Sequence, residues 1–127
     1  MHKKFAKLAI CLCGLSVILG AFAAHALKSK LSDHALSVFE TGVRYQFYHG
    51  LALLVVAFYF EKLHQVWAIR TCNFFVCGVI LFSGSLYLLS LVMPFYSVIG
   101  MITPIGGLCF ILGWASLLFA IKNSENN

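Results

Sequence analysis

The chain has 127 residues, 61% of them hydrophobic and only 10% charged, with a formal net charge of +5. A soluble domain carries roughly 25% charged residues, and so few polar side chains cannot cover a water-facing surface. Disorder is excluded as well, because it needs low hydrophobicity; one small membrane domain over 1–127 remains, and nothing in the charge layout suggests a nucleic-acid surface.

Formal charges delimit the apolar stretches. Twenty uncharged residues separate Lys7 from Lys28, 16 separate Arg44 from Glu61, and 51 separate Arg70 from Lys122. A span needs roughly 20 apolar residues, so the longest gap holds two, and Pro94 and Pro104 bracket the break between them. The expectation is an all-α membrane protein with four transmembrane helices, near 8–24, 45–60, 72–93 and 98–121. The runs lack the alternation of a membrane barrel, and helices satisfy their own backbone groups in lipid.

The first span follows the basic stretch His2-Lys3-Lys4 and ends among Ala21, Ala23, Ala24 and Ala26, which mimics a secretory signal. Ser16, Gly20 and Ala24 recur every fourth residue, a helix-packing face that a disposable segment does not need. The segment is therefore read as retained. Cys11 and Cys13 follow Ile10 and Leu12 rather than a small residue, so lipidation is not expected.

Ser32 suits an N-cap and Asp33 a first helical turn. Leu36, Phe39, Val43 and Phe47 recur at helical spacing. This predicts an amphipathic interfacial helix over Ser32–Gly42 that bends near Gly42 into the second span. Within it, Glu40 and Arg44 have the spacing and order of a helical ion pair. His25, the run Glu40, Thr41, Arg44, Tyr45, Gln46, Tyr48 and His49, and Thr103 all fall on one side of the membrane in this topology. They form a candidate polar site at the outer leaflet, since ionisable residues at membrane depth are costly and often functional. The alternative is a band of interfacial anchors, with Arg44 and the tyrosines at headgroup level.

In the third span Ser83, Tyr87 and Ser90 share a face. That seam suits a narrow pore, a bond to a neighbouring helix, or serines bonding back to their own helix. The span holds no carboxylate, which weighs against a proton-driven pump. The fourth span carries a stripe of small residues, Gly106, Cys109, Gly113, Ser116 and Ala120. With Ser16, Gly20, Ala24 and Gly84 these are the expected packing positions, either within the chain or between copies.

The five cysteines, Cys11, Cys13, Cys72, Cys77 and Cys109, give no disulfide framework and no zinc spacing. Haem ligation by His25 and His49 is weakly supported. No metal, cofactor or catalytic residue is assigned. Cys13-Gly14 and Gly20-Ala21 resemble Cys77-Gly78 and Gly84-Ser85 at an offset of 64, which suggests parallel duplication of a two-helix hairpin. Lys3, Lys4, Lys7, Lys62, Arg70 and Lys122 on one side, against Lys28, Lys30 and Arg44, favour cytoplasmic termini.

Four blocks occur in order: Gly20-Ala21-Phe22-Ala23-Ala24-His25, the run Phe39 to His49, Leu81 to Tyr87, and Ile102-Thr103-Pro104-Ile105-Gly106-Gly107. Together they resemble the domain of unknown function 423 family, which includes YgdD-like bacterial inner-membrane proteins, over nearly the whole chain. Ala24 stands where that pattern often has glycine. The resemblance implies a four-helix integral membrane protein and no activity. The leading expectation is a small helical bundle in the cell (inner) membrane that binds lipid or a membrane partner. An oligomeric channel or transporter for a small solute comes second, and a membrane enzyme third.

Overall fold

The structure is a computed structural model; it describes residues 1–92 and 96–121, the side chains of 96–98 excepted. Pro94, the Met93 end of the expected third span and Lys122 lie outside the described residues.

Helices account for all regular secondary structure among the described residues. Helix α1 covers Lys3–Phe22 and continues into a π-helical turn, Ala23–Leu27. Helix α2 runs unbroken over 27 residues, Asp33–Tyr59, and ends in a 3-10 turn, Phe60–Lys62. Helix α3 (Gln65–Gly78), a second π-helical turn (Val79–Ser83) and α4 (Gly84–Leu91) follow one another as a single rod. Helix α5 covers Tyr96–Ala120. Ser32 caps α2 as its composition suggests, its Oγ accepting from the Ala35 N–H at 3.2 Å.

Contacts at one end of the bundle fix the topology. The Met1 amine meets Glu61 Oε1 at 2.6 Å, the His2 N–H donates to the Ala57 carbonyl at 2.8 Å, and the His64 N–H donates to the Ala120 carbonyl at 2.8 Å. The start of α1, the end of α2, the start of α3 and the end of α5 therefore share that end, and the helices alternate in direction. By its hydrogen bond and its charge, the Met1 amine holds the exposed Glu61 carboxyl below the ordinary range. Helix α1 packs chiefly on α2, and α3 on α5; α2 also meets α3, α4 and the second π turn. Its central place explains how α2 carries polar residues without turning them all to lipid.

Three stretches are long and apolar enough to cross a membrane: Lys3–Leu27, Gln65–Leu91 and Ile99–Ala120. Helix α2 is not among them, because Arg44, Gln46 and His49 dilute its hydropathy. The expected surface helix bending at Gly42 is replaced by the first part of α2. Its apolar face is used on protein: Phe39 packs with Ala23 and Leu27. Gly42 marks close contact instead of a bend, since a Cβ there would lie 2.8 Å from the Tyr87 ring. Pro104 brackets no break either; it lies inside α5, where it removes one backbone donor. Membrane helices tolerate that loss when neighbouring groups satisfy the backbone.

Small residues set the helix spacing. A Cβ on Gly106 would lie 2.3 Å from the Phe82 backbone nitrogen, and one on Gly113 would lie 2.6 Å from the Phe75 ring. Ser116 and Ala120 are buried on the same face and Cys109 is partly so, so the stripe lies against the α3 rod. Ser16 is buried, and Gly20 approaches Val43 of α2. Two expected packing positions do not pack within the chain. Ala24 is exposed while Ala23 is buried, because strict four-residue spacing drifts off a helical face, whereas the buried Ala9, Ser16 and Ala23 recur every seven. Gly84 has open space where its Cβ would be. The two hairpins also differ, in that one π turn ends its helix and the other interrupts its rod.

Candidate functional site

The polar residues of α2 divide into an inward and an outward set. Gln46, the midpoint of the 27-residue helix, is 2% exposed. Its Nε2 donates to the Leu12 carbonyl of α1 at 3.0 Å, and its Oε1 accepts from the Tyr87 hydroxyl of α4 at 2.8 Å. One side chain thus ties three helices together. Ser83 adds a second tie, its Oγ donating to the Gly42 carbonyl at 2.8 Å. Ser90 bonds back to the Tyr87 carbonyl of its own helix at 2.9 Å. The seam of α4 and its π turn is therefore mostly an interhelical joint. Among the described residues, no buried side-chain nitrogen or oxygen lacks a partner.

His49 sits one turn further along α2 and is 6% exposed. Its ring stacks on Phe110 with centroids 3.5 Å apart and planes 9° from parallel. The Trp114 indole N–H donates to Nε2 at 3.2 Å, and Nδ1 lies 2.8 Å from the Tyr45 carbonyl. An indole only donates and a carbonyl only accepts. Nε2 must then carry the lone pair and Nδ1 the proton, so His49 is a neutral imidazole with both nitrogens engaged. That arrangement suits a positioned core residue, with no lone pair left for a metal. Among the described residues, no cluster of three or more His, Cys, Asp or Glu could hold an ion.

The remaining candidates do not join this interior group. His25 is exposed in the first π turn, and Glu40 is exposed on α2. No Glu40–Arg44 ion pair forms among the described residues. Arg44 instead turns to Thr41, its Nη2 donating to Oγ1 at 3.2 Å, while Thr41 donates to the Ser37 carbonyl at 2.9 Å. At an exposed site an ion pair gains little over solvation, so the arginine is held by its near neighbour. Tyr48 is exposed. Thr103 shares a 2.7 Å hydrogen bond with Ser85 and serves the α4–α5 contact. Tyr45 is half-exposed, its ring against Phe82 with centroids 4.7 Å apart.

Two outward grooves result. Between α1 and α2 lies one of about 260 Å³, lined by Ser16, Val17, Val43, Arg44, Phe47 and Tyr48. Between α2 and α5 lies a wider one of about 610 Å³, with Tyr45, His49, Phe82, Pro104, Phe110 and Trp114 in its walls. The first has a cationic group at its edge; the second is aromatic, and its histidine is already bonded.

A family model described as "Protein of unknown function (DUF423)" matches residues 19–107. The chain belongs to the DUF423 family. It is 46% identical over 107 residues to the UPF0382 membrane protein YwdK of Bacillus subtilis (strain 168), covering 84% of this chain and 85% of that one. It is also 46% identical over 108 residues to the UPF0382 membrane protein SAB0533 of Staphylococcus aureus, covering 84% of each. The UPF0382 membrane protein SH2409 of Staphylococcus haemolyticus is 44% identical over 108 residues, again with 84% of each covered. No solved structure matches the chain. The DUF423 match takes in every candidate from His25 to Thr103 and ends before Trp114. Trp114 is the partner that sequence reasoning missed, since a lone tryptophan in an apolar helix carries no sign of a histidine 65 residues away. In this DUF423 protein Gly50 and Gly78 were missed likewise: Cβ atoms there would lie 2.7 Å from Cys13 Sγ and 2.4 Å from the Phe110 ring.

Proposed function

We propose that this DUF423 protein is a four-span bundle that binds an anionic phospholipid on its α1–α2 face. The observation that carries the reading is Arg44, exposed and without a carboxylate partner among the described residues, at the edge of an apolar groove. About twenty helical residues, roughly 30 Å, cover the hydrocarbon core. Counted back along α2 from Glu61, they bring Glu40 and Thr41 to the opposite boundary, with Arg44 a turn beneath it. From there the guanidinium can snorkel to a headgroup phosphate and bond it through two N–H groups. Phe47 and Tyr48 lie deeper along α2 than Arg44, where an acyl chain would follow the groove. His25, Lys28 and Lys30 share that end of the bundle and add to its attraction for anionic lipid.

On this reading α2 crosses the membrane as the fourth span, its interior-facing polar groups bonded to α1 and α4. Lys3, Lys4, Lys7, Lys62 and Arg70 at the other end support cytoplasmic termini in the inner membrane. A channel through a single chain is disfavoured, because the seam residues that would line it are bonded to backbone carbonyls and to Gln46. The test is selectivity for spin-labelled phosphatidylglycerol over phosphatidylcholine in reconstituted vesicles. Wild type should immobilise the anionic lipid preferentially, and Arg44→Gln should lose several-fold of that preference. Equal selectivity in both proteins would refute the site.

A further inference from the structure

Cys77 on α3 and Cys109 on α5 bring their sulfurs to 3.7 Å. Both are free thiols; Cys77 is exposed and Cys109 half-buried. The two rods are in close contact on both sides of the pair, at Gly106 against Phe82 and at Gly113 against Phe75. A disulfide needs the sulfurs at about 2.04 Å, so the pair must close by about 1.7 Å, and Cys77 is exposed at the helix surface. Other cysteines are placed differently: Cys13 donates toward the Phe47 carbonyl at 3.9 Å, and Cys72 is buried in the core.

We propose that Cys77 and Cys109 form a redox-active pair that closes to an intramolecular disulfide, with a membrane-soluble quinone as the electron acceptor. Cys77 lies twelve residues into the Gln65–Leu91 rod, close to its middle. Roughly 18 Å of helix separates it from the nearer end, beyond the reach of a water-borne disulfide. A quinone dissolved in the hydrocarbon does not meet that obstacle. In the step two S–H bonds break and one S–S bond forms. The two electrons and two protons go to the quinone, which leaves as quinol. Cys109 adjoins Phe110, the ring stacked on His49. The bond would therefore pin α5 to α3 beside the His49 stack and the aromatic groove. This inference is independent of the lipid reading at Arg44.

The test uses the full chain in membranes treated with a short-chain ubiquinone analogue, then denatured with a maleimide and analysed as peptides. The expected result is a Cys77–Cys109 linked peptide two hydrogens lighter than the free pair, cleaved by dithiothreitol, with one quinol formed per linked chain. Cys77→Ser and Cys109→Ser should each abolish both products, and Cys72→Ser should keep them. Full maleimide labelling of both cysteines after quinone treatment would overturn the proposal, as would quinol formation that persists in Cys77→Ser. Copper phenanthroline with air serves as a second oxidant. Linkage by that reagent alone would contradict the quinone assignment while leaving the geometry standing, and linkage by neither would contradict both.

Discussion

Tyr87 carries one hydroxyl into an apolar bundle, and the structure uses it to hold Gln46 in register between α1 and α4. Interhelical hydrogen bonds in membranes contribute about 0.6 kcal/mol on average and up to about 1.7 kcal/mol. Tyr87→Phe should therefore cost about 1 kcal/mol in a reversible unfolding titration. Gln46→Leu made on the Tyr87→Phe background should cost less than Gln46→Leu made on wild type. Additive losses would mean that the two side chains do not act together. His49 offers a spectroscopic check. Nitrogen NMR of labelled protein should show the neutral tautomer with the proton on Nδ1. Trp114→Phe should move the Nε2 resonance, because that nitrogen loses its donor. At this scale the sequence was partly legible. Gln46 and His49 stood out as polar groups in an apolar chain, and such groups need partners. Their partners were not legible, since Leu12, Tyr87 and Trp114 arrive through packing. Nor was the split between buried Gln46 and exposed Arg44, two residues apart, because the chain around them is apolar on several faces.

At the scale of helices, glycines decide how closely the rods approach. Gly106→Ala should be destabilising out of proportion to its one carbon, because the new atom meets the rigid backbone of Phe82. Gly113→Leu should be worse, since it drives into the Phe75 ring. Gly84→Ala has free space and should be neutral or stabilise by roughly 0.5–1 kcal/mol through helix propensity. Thermal scans in detergent would rank the three, and equal effects would contradict the contact assignment. The Gly106 to Ala120 stripe was readable because a 3,4 spacing of small residues survives in a regular helix. Ala24 and Gly84 do not pack within the chain, for different reasons. A strict four-residue spacing drifts off the face of a helix of about 3.6 residues per turn, and the buried face of α1 follows Ala9, Ser16 and Ala23 instead. Gly84 has nothing packed against it despite matching the motif. The segment before the second span was recognised as helical and capped by Ser32. Its apolar face was assigned to the membrane surface because the sequence does not say that Phe39 finds Ala23 and Leu27.

For the molecule as a whole, scarcity of charge is the organising fact. Charge gaps located the apolar helices, and the pairing of Met1 with Glu61 and of His64 with Ala120 closes the bundle at one end. Helix α2 carries Arg44, Gln46 and His49 away from the ends of the bundle. It hides Gln46 and His49 among its neighbours and leaves Arg44 outside, beside an apolar groove. Native mass spectrometry of protein released from its own membranes puts that division to the test most directly. Wild type should carry a bound anionic phospholipid that Arg44→Ala loses, while Gln46→Leu, if folded, should retain it. An Arg44→Ala protein that is folded and still carries the same lipid at the same occupancy would contradict the account.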